Sequence, residues 1–218
     1  MRSDWIPLSA SALVIGVMAL VFGSLLNPVD AEASSADTMR IVTQEGGRWL
    51  GMAVMYFGSS VALTLGLPSV LSLFTTRGRR TGLLAVGVFS IGVIGTAGYA
   101  MLLVFFHALV KQGAVEDAKL EDVTADIGLS IFLSSWIAGF YLGLLLLAVA
   151  LFIAKRTPVW VPILLLVFVA MFPFSAQIGK VGQVVQVMGL AVAFTGIAIA
   201  AVNQVHSGRV GVPESSYS

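Results

Sequence analysis

Six long apolar stretches without a charged residue constrain this chain more than any other feature of its sequence. A helix needs about 20 apolar residues to cross roughly 30 Å of hydrocarbon. Because lipid offers the backbone no hydrogen-bond partner, a spanning segment must be helical. We therefore predict an all-α integral membrane protein with six transmembrane helices in one bundle. The stretches are residues 5–27, 49–74, 82–110, 128–154, 158–174 and 183–204, and none contains Asp, Glu, Lys or Arg.

The composition excludes several classes of protein. Hydrophobic residues make up 58% of the chain and charged residues 11%, whereas soluble domains carry about 25% charged residues. The net charge of +1 gives no reason to expect a nucleic-acid partner. The chain has no cysteine, which removes disulfides, thiolate metal sites and cysteine nucleophiles.

The charges between the apolar stretches predict an orientation. Seven of the basic residues fall on the side that holds both termini, and five fall on the other side. Arg77, Arg79 and Arg80 form the tightest group, in a short connection. Basic residues in short loops favour the cytoplasmic side. We therefore predict a multi-pass protein of the cell membrane with both termini cytoplasmic, and these three arginines as contacts for lipid headgroups.

The domain organisation is simple. Residues 1–206 are predicted to form a single six-span domain, and the polar residues 207–218 a disordered cytoplasmic tail. The two longer outer loops are long enough for short amphipathic helices of their own. In the first loop, Ser35 or Asp37 would cap a short helix that runs to Glu45. The glycine pair at 46–47 would then end it.

Small residues recur at four-residue spacing in several stretches, which places them on one helix face. Such faces let helix backbones approach closely in a bilayer, where no hydrophobic force drives helix association. We predict packing faces within the chain, and we keep open that one of them docks another protein or a second copy. The predicted packing residues are Gly58, Ala62, Gly66, Gly92, Thr96, Ser135, Gly139 and Gly143.

His107 is the one ionisable residue inside the predicted spans, and intramembrane ionisable groups often mark ion or proton paths. The other histidine, His206, falls at the opposite membrane face in the predicted topology, so the two cannot ligate one haem. We predict a structural role for His107, with contact to a cofactor as the alternative. No cofactor is otherwise predicted.

The second outer loop is rich in carboxylates. Some stand four residues apart, a spacing that on a helix could hold a hard cation. The loop lacks the spacing and central glycine of an EF-hand, so solvated surface charge is the favoured interpretation. The residues concerned are Glu116, Asp117, Glu121, Asp122 and Asp126.

Polar residues recur at every third position from Gln177 to Gln186. Because three residues advance a helix by about 300°, the run cannot form one polar face. We predict a turn broken by Gly179 and Gly182. Gln183 and Gln186 would then form a compact pair within the last span and, with Asn203, are candidate polar contacts inside the membrane.

No recognisable catalytic motif is present. The chain lacks Gly-x-Ser-x-Gly, His-Glu-x-x-His and a P-loop, so we do not expect an enzyme. The leading hypothesis is an accessory or structural subunit of a membrane complex, or a homo-oligomer, acting through helix packing and its acidic outer loops. Its partners would be the bilayer and another membrane protein or a second copy. The alternative is a carrier or binder of an uncharged or apolar small molecule.

Overall fold

The protein is all-helical throughout the part of the chain that the structure describes. The computed structural model describes residues 5–29, 33–75, 77–115, 123, 125–174, 177 and 179–210, without the side chains of residue 180 and residues 207–210. The helices are α1 (Ile6–Leu26), α2 (Ser35–Gln44), α3 (Gly46–Leu71), α4 (Arg79–Lys111), α5 (Ile127–Ala154), α6 (Trp160–Ala170) and α7 (Gly179–Val210), with a 3-10 turn at Phe172–Phe174.

Five of these helices, α1, α3, α4, α5 and α7, are long and apolar enough to cross a membrane. Their outward faces expose large apolar side chains, among them Leu8 at 75% and Ile94 at 66%. Water-soluble proteins rarely expose apolar surface so extensively. The fold is therefore consistent with a multi-pass membrane protein.

The stretch predicted as the fifth span is shorter than the others. Its helix, α6, has 11 residues, which rise only about 16 Å. The reason is Pro173, which lacks the N–H that a continuing helix needs and disfavours the helical conformation of the residue before it. The chain therefore leaves α6 at Met171 and makes the 3-10 turn.

Six helices form a closed ring. In order around it, α1 packs on α3, α3 on α4, α4 on α5, α5 on α6, α6 on α7, and α7 on α1. Consecutive helices run in opposite directions, so the ring has two ends. We call one the arginine end, because Arg79 begins α4 there, and the other the α2 end. The interior of the arginine end is filled by fully buried side chains, including Leu13, Phe89, Leu144 and Phe194.

The short helix α2 covers the α2 end of α3 and α4. Ser34, not Ser35 or Asp37, caps its N-terminus, and the Ser34 Oγ accepts a hydrogen bond from the Asp37 N–H at 3.1 Å. Gly46 does not end α2 but begins α3. Val42 is fully buried in a small cluster with Trp49, so α2 packs on the bundle as well as facing outward.

The last helix begins earlier and ends later than the apolar pattern suggests. Gly179 has a φ of +63° at its start, whereas Gly182 lies within the helix and does not break it. The helix continues to Val210, four residues into the predicted tail. The remaining residues, 211–218, lie outside the described part of the chain.

Serine side chains join α1, α3 and α4. The Oγ of Ser59 donates to the carbonyl oxygen of Gly16 at 2.7 Å, and that of Ser60 donates to the carbonyl oxygen of Val93 at 2.6 Å. Ser9 Oγ donates to the carbonyl oxygen of Leu65 at 2.7 Å. In a bilayer the hydrophobic effect does not drive helix association, so interhelical hydrogen bonds of this kind add to van der Waals packing in holding the helices together. These hydroxyls hold helices together and do not line a polar path.

Candidate functional site

A cavity of about 320 Å³ lies inside the ring, toward the α2 end. All six ring helices contribute to its wall. Its volume falls at the lower end of the range of small-molecule sites. The lining residues are Leu20 and Ser24 from α1; Tyr56 from α3; Thr96 and Tyr99 from α4; Trp136, Ile137, Phe140 and Tyr141 from α5; Phe168 from α6; Phe172 from the 3-10 turn; and Val187 and Leu190 from α7.

Aromatic rings form most of this wall, in two groups. In the first group, Tyr99 stacks on Trp136 with ring centroids 4.5 Å apart and an interplanar angle of 19°. In the second, Tyr141 is nearly parallel to Phe168, with centroids 5.6 Å apart and an angle of 11°. The ring centre of Tyr141 also lies 4.1 Å from that of Phe172. Seven of the 13 lining residues are aromatic, so the cavity offers an occupant a largely aromatic, apolar surface.

The position of the aromatic wall follows from glycines in α4. A Cβ on Gly95 would lie 2.6 Å from Cδ1 of Trp136, and a Cβ on Gly98 would lie 2.6 Å from Cζ of Phe132. A Cβ on Gly92 would overlap the backbone of Phe140. The α5 residues recur at every fourth position and therefore form a ridge along one helix face. Three glycines of α4 make the groove that receives it.

The polar groups of the cavity are neutral. The indole N–H of Trp136 donates to Thr96 Oγ1 at 3.1 Å, and Thr96 Oγ1 donates to the carbonyl oxygen of Gly92 at 2.9 Å. These two groups are therefore satisfied within the protein. No Asp, Glu, Lys, Arg or His is among the described residues that line the cavity. Because an unpaired charge is costly to bury in an apolar site, this wall suits an uncharged occupant.

Gln186 stands beside the cavity and has a structural role. Its side chain is buried, and its Nε2 donates to the carbonyl oxygen of Phe168 at 2.9 Å. The last carbonyls of a helix have no partner within the helix, and Phe168 lies in the last turn of α6. Gln186 therefore satisfies the end of the short helix from its neighbour α7.

Of the other two predicted polar contacts, Gln183 lies close to Gln186 on α7 and Asn203 lies far from it. Gln183 is half-buried, one turn earlier in α7. Asn203 is exposed near the arginine end, 17 residues or about 25 Å along the helix from Gln186. It lines a separate surface pocket with Arg156 and Trp160.

His107 lies at the α2 end, outside the aromatic cavity. Its ring rests on Gly46, where a Cβ would lie 2.5 Å from Cε1 of the histidine. Its Nδ1 is buried and has no hydrogen-bond partner within the described residues. His206 is on α7, with Nδ1 3.0 Å from the carbonyl oxygen of Val202. Among the described residues, no three His, Asp or Glu side chains form a group that could hold a metal ion.

The predicted acidic cluster is described only at Asp126. Its carboxylate accepts a hydrogen bond from the Leu129 N–H at 2.9 Å and so begins α5. Glu116, Asp117, Glu121 and Asp122 lie outside the described residues.

The predicted headgroup contacts Arg77, Arg79 and Arg80 are all exposed. Arg77 precedes α4, and the other two are its first residues. All three residues therefore lie at the arginine end of the bundle.

The predicted packing residues fall into two sets. Gly66, Gly92, Thr96, Gly139 and Gly143 are buried, and the four glycines lie where neighbouring helices meet. A Cβ on Gly66, for example, would lie 2.7 Å from Cα of Leu13. Gly58 and Ser135 are exposed, and Ala62 is half-buried. The first set makes the helix contacts of the ring, and Gly58 and Ser135 face outward.

Sequence reasoning missed the tyrosines. Three of the four tyrosines of the chain, Tyr56, Tyr99 and Tyr141, line this one cavity. They belong to three different helices, so no spacing in the sequence relates them. The available signal was the aromatic ridge of α5 together with the glycines of α4, which fixes one wall but not the opposite one.

The fold and the site together define an all-helical bundle with five helices that could cross a membrane and an aromatic, uncharged cavity inside the ring. Comparison with protein family models, with curated proteins and with solved structures found no match.

Proposed function

We propose that this chain is a cell-membrane protein that binds or carries an uncharged, largely apolar small molecule in its aromatic cavity. The observation that carries the proposal is that all six helices of the ring contribute residues to the cavity wall. A gap left by imperfect packing between two helices would not draw on all six. Concave, mostly apolar sites with a few polar groups are the usual form of small-molecule sites.

A matched pair of substitutions on α7 tests this proposal. Val187 lines the cavity, whereas Val185, two residues earlier, is 61% exposed on the outer face. We expect naphthalene, an uncharged probe, to raise the melting temperature of the wild type in detergent and of Val185→Phe. Stabilisation would reach about 2.7 kcal/mol at a probe concentration of 100 Kd. Val187→Phe fills the cavity and should abolish the shift.

The result that would contradict cavity binding is an equal shift in Val187→Phe and Val185→Phe. It would place the probe on the lipid-facing surface. The melting temperature of each variant without probe provides the folding control, because the same residue type is added to the same helix in both.

The proposal includes six spanning segments and cytoplasmic termini. α6 would complete the sixth crossing together with the 3-10 turn and the residues that flank it. The short connection with Arg77, and Arg156 before α6, would lie on the cytoplasmic side, in keeping with the preference of basic loops. Arg77, Arg79 and Arg80 would then meet anionic headgroups.

Single cysteines test the orientation, because the chain has none of its own. Thr75 and Gln112 are exposed in connections at the two ends of the bundle. In intact cells, an impermeant thiol reagent should label Gln112→Cys and should label Thr75→Cys only after permeabilisation. The opposite pattern would reverse the proposed orientation, and labelling of both sites in intact cells would refute the spanning arrangement.

An accessory subunit or a homo-oligomer is the second candidate. It is favoured by the start of α5, which extends past the end of α6 and exposes Ile127 at 76% and Ile131 at 62%. Such a helix end offers surface to another membrane helix. A density map of the natively purified protein that shows only lipid or detergent against this end would remove that support.

A further inference from the structure

The three cavity tyrosines have polar groups that the protein leaves unused. Tyr56, Tyr99 and Tyr141 line the cavity and are each half-buried, and their hydroxyls make no hydrogen bond within the described part of the chain. Tyr56 and Tyr99 lie side by side, with ring centroids 6.1 Å apart. A hydroxyl in a largely apolar cavity gains free energy when it finds a hydrogen-bond partner there. An occupant with oxygen acceptors would give these hydroxyls partners.

The surrounding rings indicate the shape of the occupant. The faces of Tyr99 and Trp136 are within 19° of parallel, and those of Tyr141 and Phe168 within 11°. Aromatic rings prefer offset-stacked or edge-to-face neighbours. A lining with this many aromatic side chains suits a flat ring better than a flexible chain. The cavity volume of about 320 Å³ accommodates a ring system of modest size.

One side of the cavity opens toward the lipid-facing surface. Two lining residues, Ile137 and Phe172, are themselves 36% and 39% exposed. α6 ends beside these two residues. α5 continues past this point toward the α2 end, since Ile127 lies about 21 Å from Tyr141 along the helix axis. The short helix therefore leaves α5 without a described neighbour on that side. An aliphatic tail attached to an occupant could leave through this opening into the bilayer.

We propose that the cavity binds a lipid-soluble molecule with a flat, uncharged ring that carries carbonyl oxygens, with any aliphatic tail lying along α5 in the bilayer. The tyrosine hydroxyls donate to the carbonyl oxygens, and the ring lies against the aromatic faces. This inference rests on the proposed function, because it names the class of molecule that the same cavity takes.

Two probes of matched shape separate this inference from the proposed function. 1,4-Naphthoquinone has the two fused rings of naphthalene and adds two carbonyl oxygens. Binding is measured from the shift in melting temperature of the full chain in detergent. We expect the wild type to bind the quinone at least tenfold more tightly than naphthalene. The absence of cysteine excludes covalent addition of the quinone to a thiol.

The decisive variant replaces Tyr56, Tyr99 and Tyr141 together by Phe, which keeps the rings and removes the hydroxyls. We expect this variant to bind naphthalene as the wild type does, which also shows that its cavity is folded, and to lose the preference for the quinone. If the triple variant does not fold, the single change Tyr141→Phe is expected to reduce the preference at least twofold.

The outcomes are distinguishable. Equal affinity of the wild type for the two probes, or a preference that survives removal of the hydroxyls, would overturn the carbonyl-bearing ring while leaving an apolar cavity site in place. Failure of both probes to bind would overturn the proposed function and this inference with it. A naphthoquinone with a long saturated tail should bind at least as tightly as the tailless probe at equal mole fraction in detergent. Binding more than tenfold weaker would refute the placement of the tail.

Discussion

Replacing Gly143 by Ala is expected to lower the free energy of unfolding by about 3 kcal/mol, near the upper end of the usual cost of overpacking. A Cβ on Gly143 would lie 2.6 Å from the backbone nitrogen of Phe89 and would overlap its Cα. Because the obstacle is backbone and not a flexible side chain, α4 and α5 must move apart. Unfolding in mixed micelles with increasing SDS measures the change.

Gly87 on α4 provides the matched control. It is exposed, and a Cβ there would meet nothing within 4 Å. Gly87→Ala should therefore leave stability unchanged or raise it by up to about 1 kcal/mol, the difference in helix propensity. If Gly143→Ala were as stable as Gly87→Ala, the close crossing of α4 and α5 would be wrong, and with it the position of the aromatic wall.

Truncation of Phe89 to Ala should lower the free energy of unfolding by a similar amount. Here the cause is a void left in the core, whereas in Gly143→Ala it is an added atom. Phe89 is 2% exposed and packs on Phe140 and Phe194, with ring centroids 5.4 and 5.7 Å apart. Loss of a buried Phe costs about 3–5 kcal/mol in soluble proteins. In a bilayer the surroundings of the unfolded helix are already apolar, so we expect the low end, about 3 kcal/mol.

Ile94 on the same helix is the control for this truncation. Its side chain is 66% exposed on the outer face, so Ile94→Ala should change the free energy of unfolding by less than about 0.5 kcal/mol. The same SDS titration applies to both variants. Equal losses in Phe89→Ala and Ile94→Ala would mean that the arginine end of the ring is not tightly packed.

The apolar stretches predicted the helices well, because the requirement for backbone hydrogen bonds leaves few alternatives in an apolar chain. The prediction was weakest where one residue changes the local geometry. Pro173 shortens the fifth stretch, which apolar counting alone treats as continuous. Glycine does not by itself fix a helix boundary, because the pair at 46–47 can either end one helix or begin the next. Here Gly46 begins α3.

The candidate site was less predictable than the fold. Its wall depends on the order of helices around the ring, and the closure of α7 on α1 joins opposite ends of the chain. Gln186 was recognised as a buried polar residue, but its partner is a carbonyl left free by the early end of α6. A polar side chain and the helix end that it satisfies lie 18 residues apart, and no sequence pattern links them.

A density map of the natively purified protein tests the central claim most directly, because it shows both the interior of the ring and what lies against α5. We predict non-protein density in the aromatic cavity, in contact with Tyr99, Trp136 and Tyr141. It should be absent from Val187→Phe and present in Val185→Phe. A map in which side chains close the space between Trp136 and Val187, with no such density, would contradict the account.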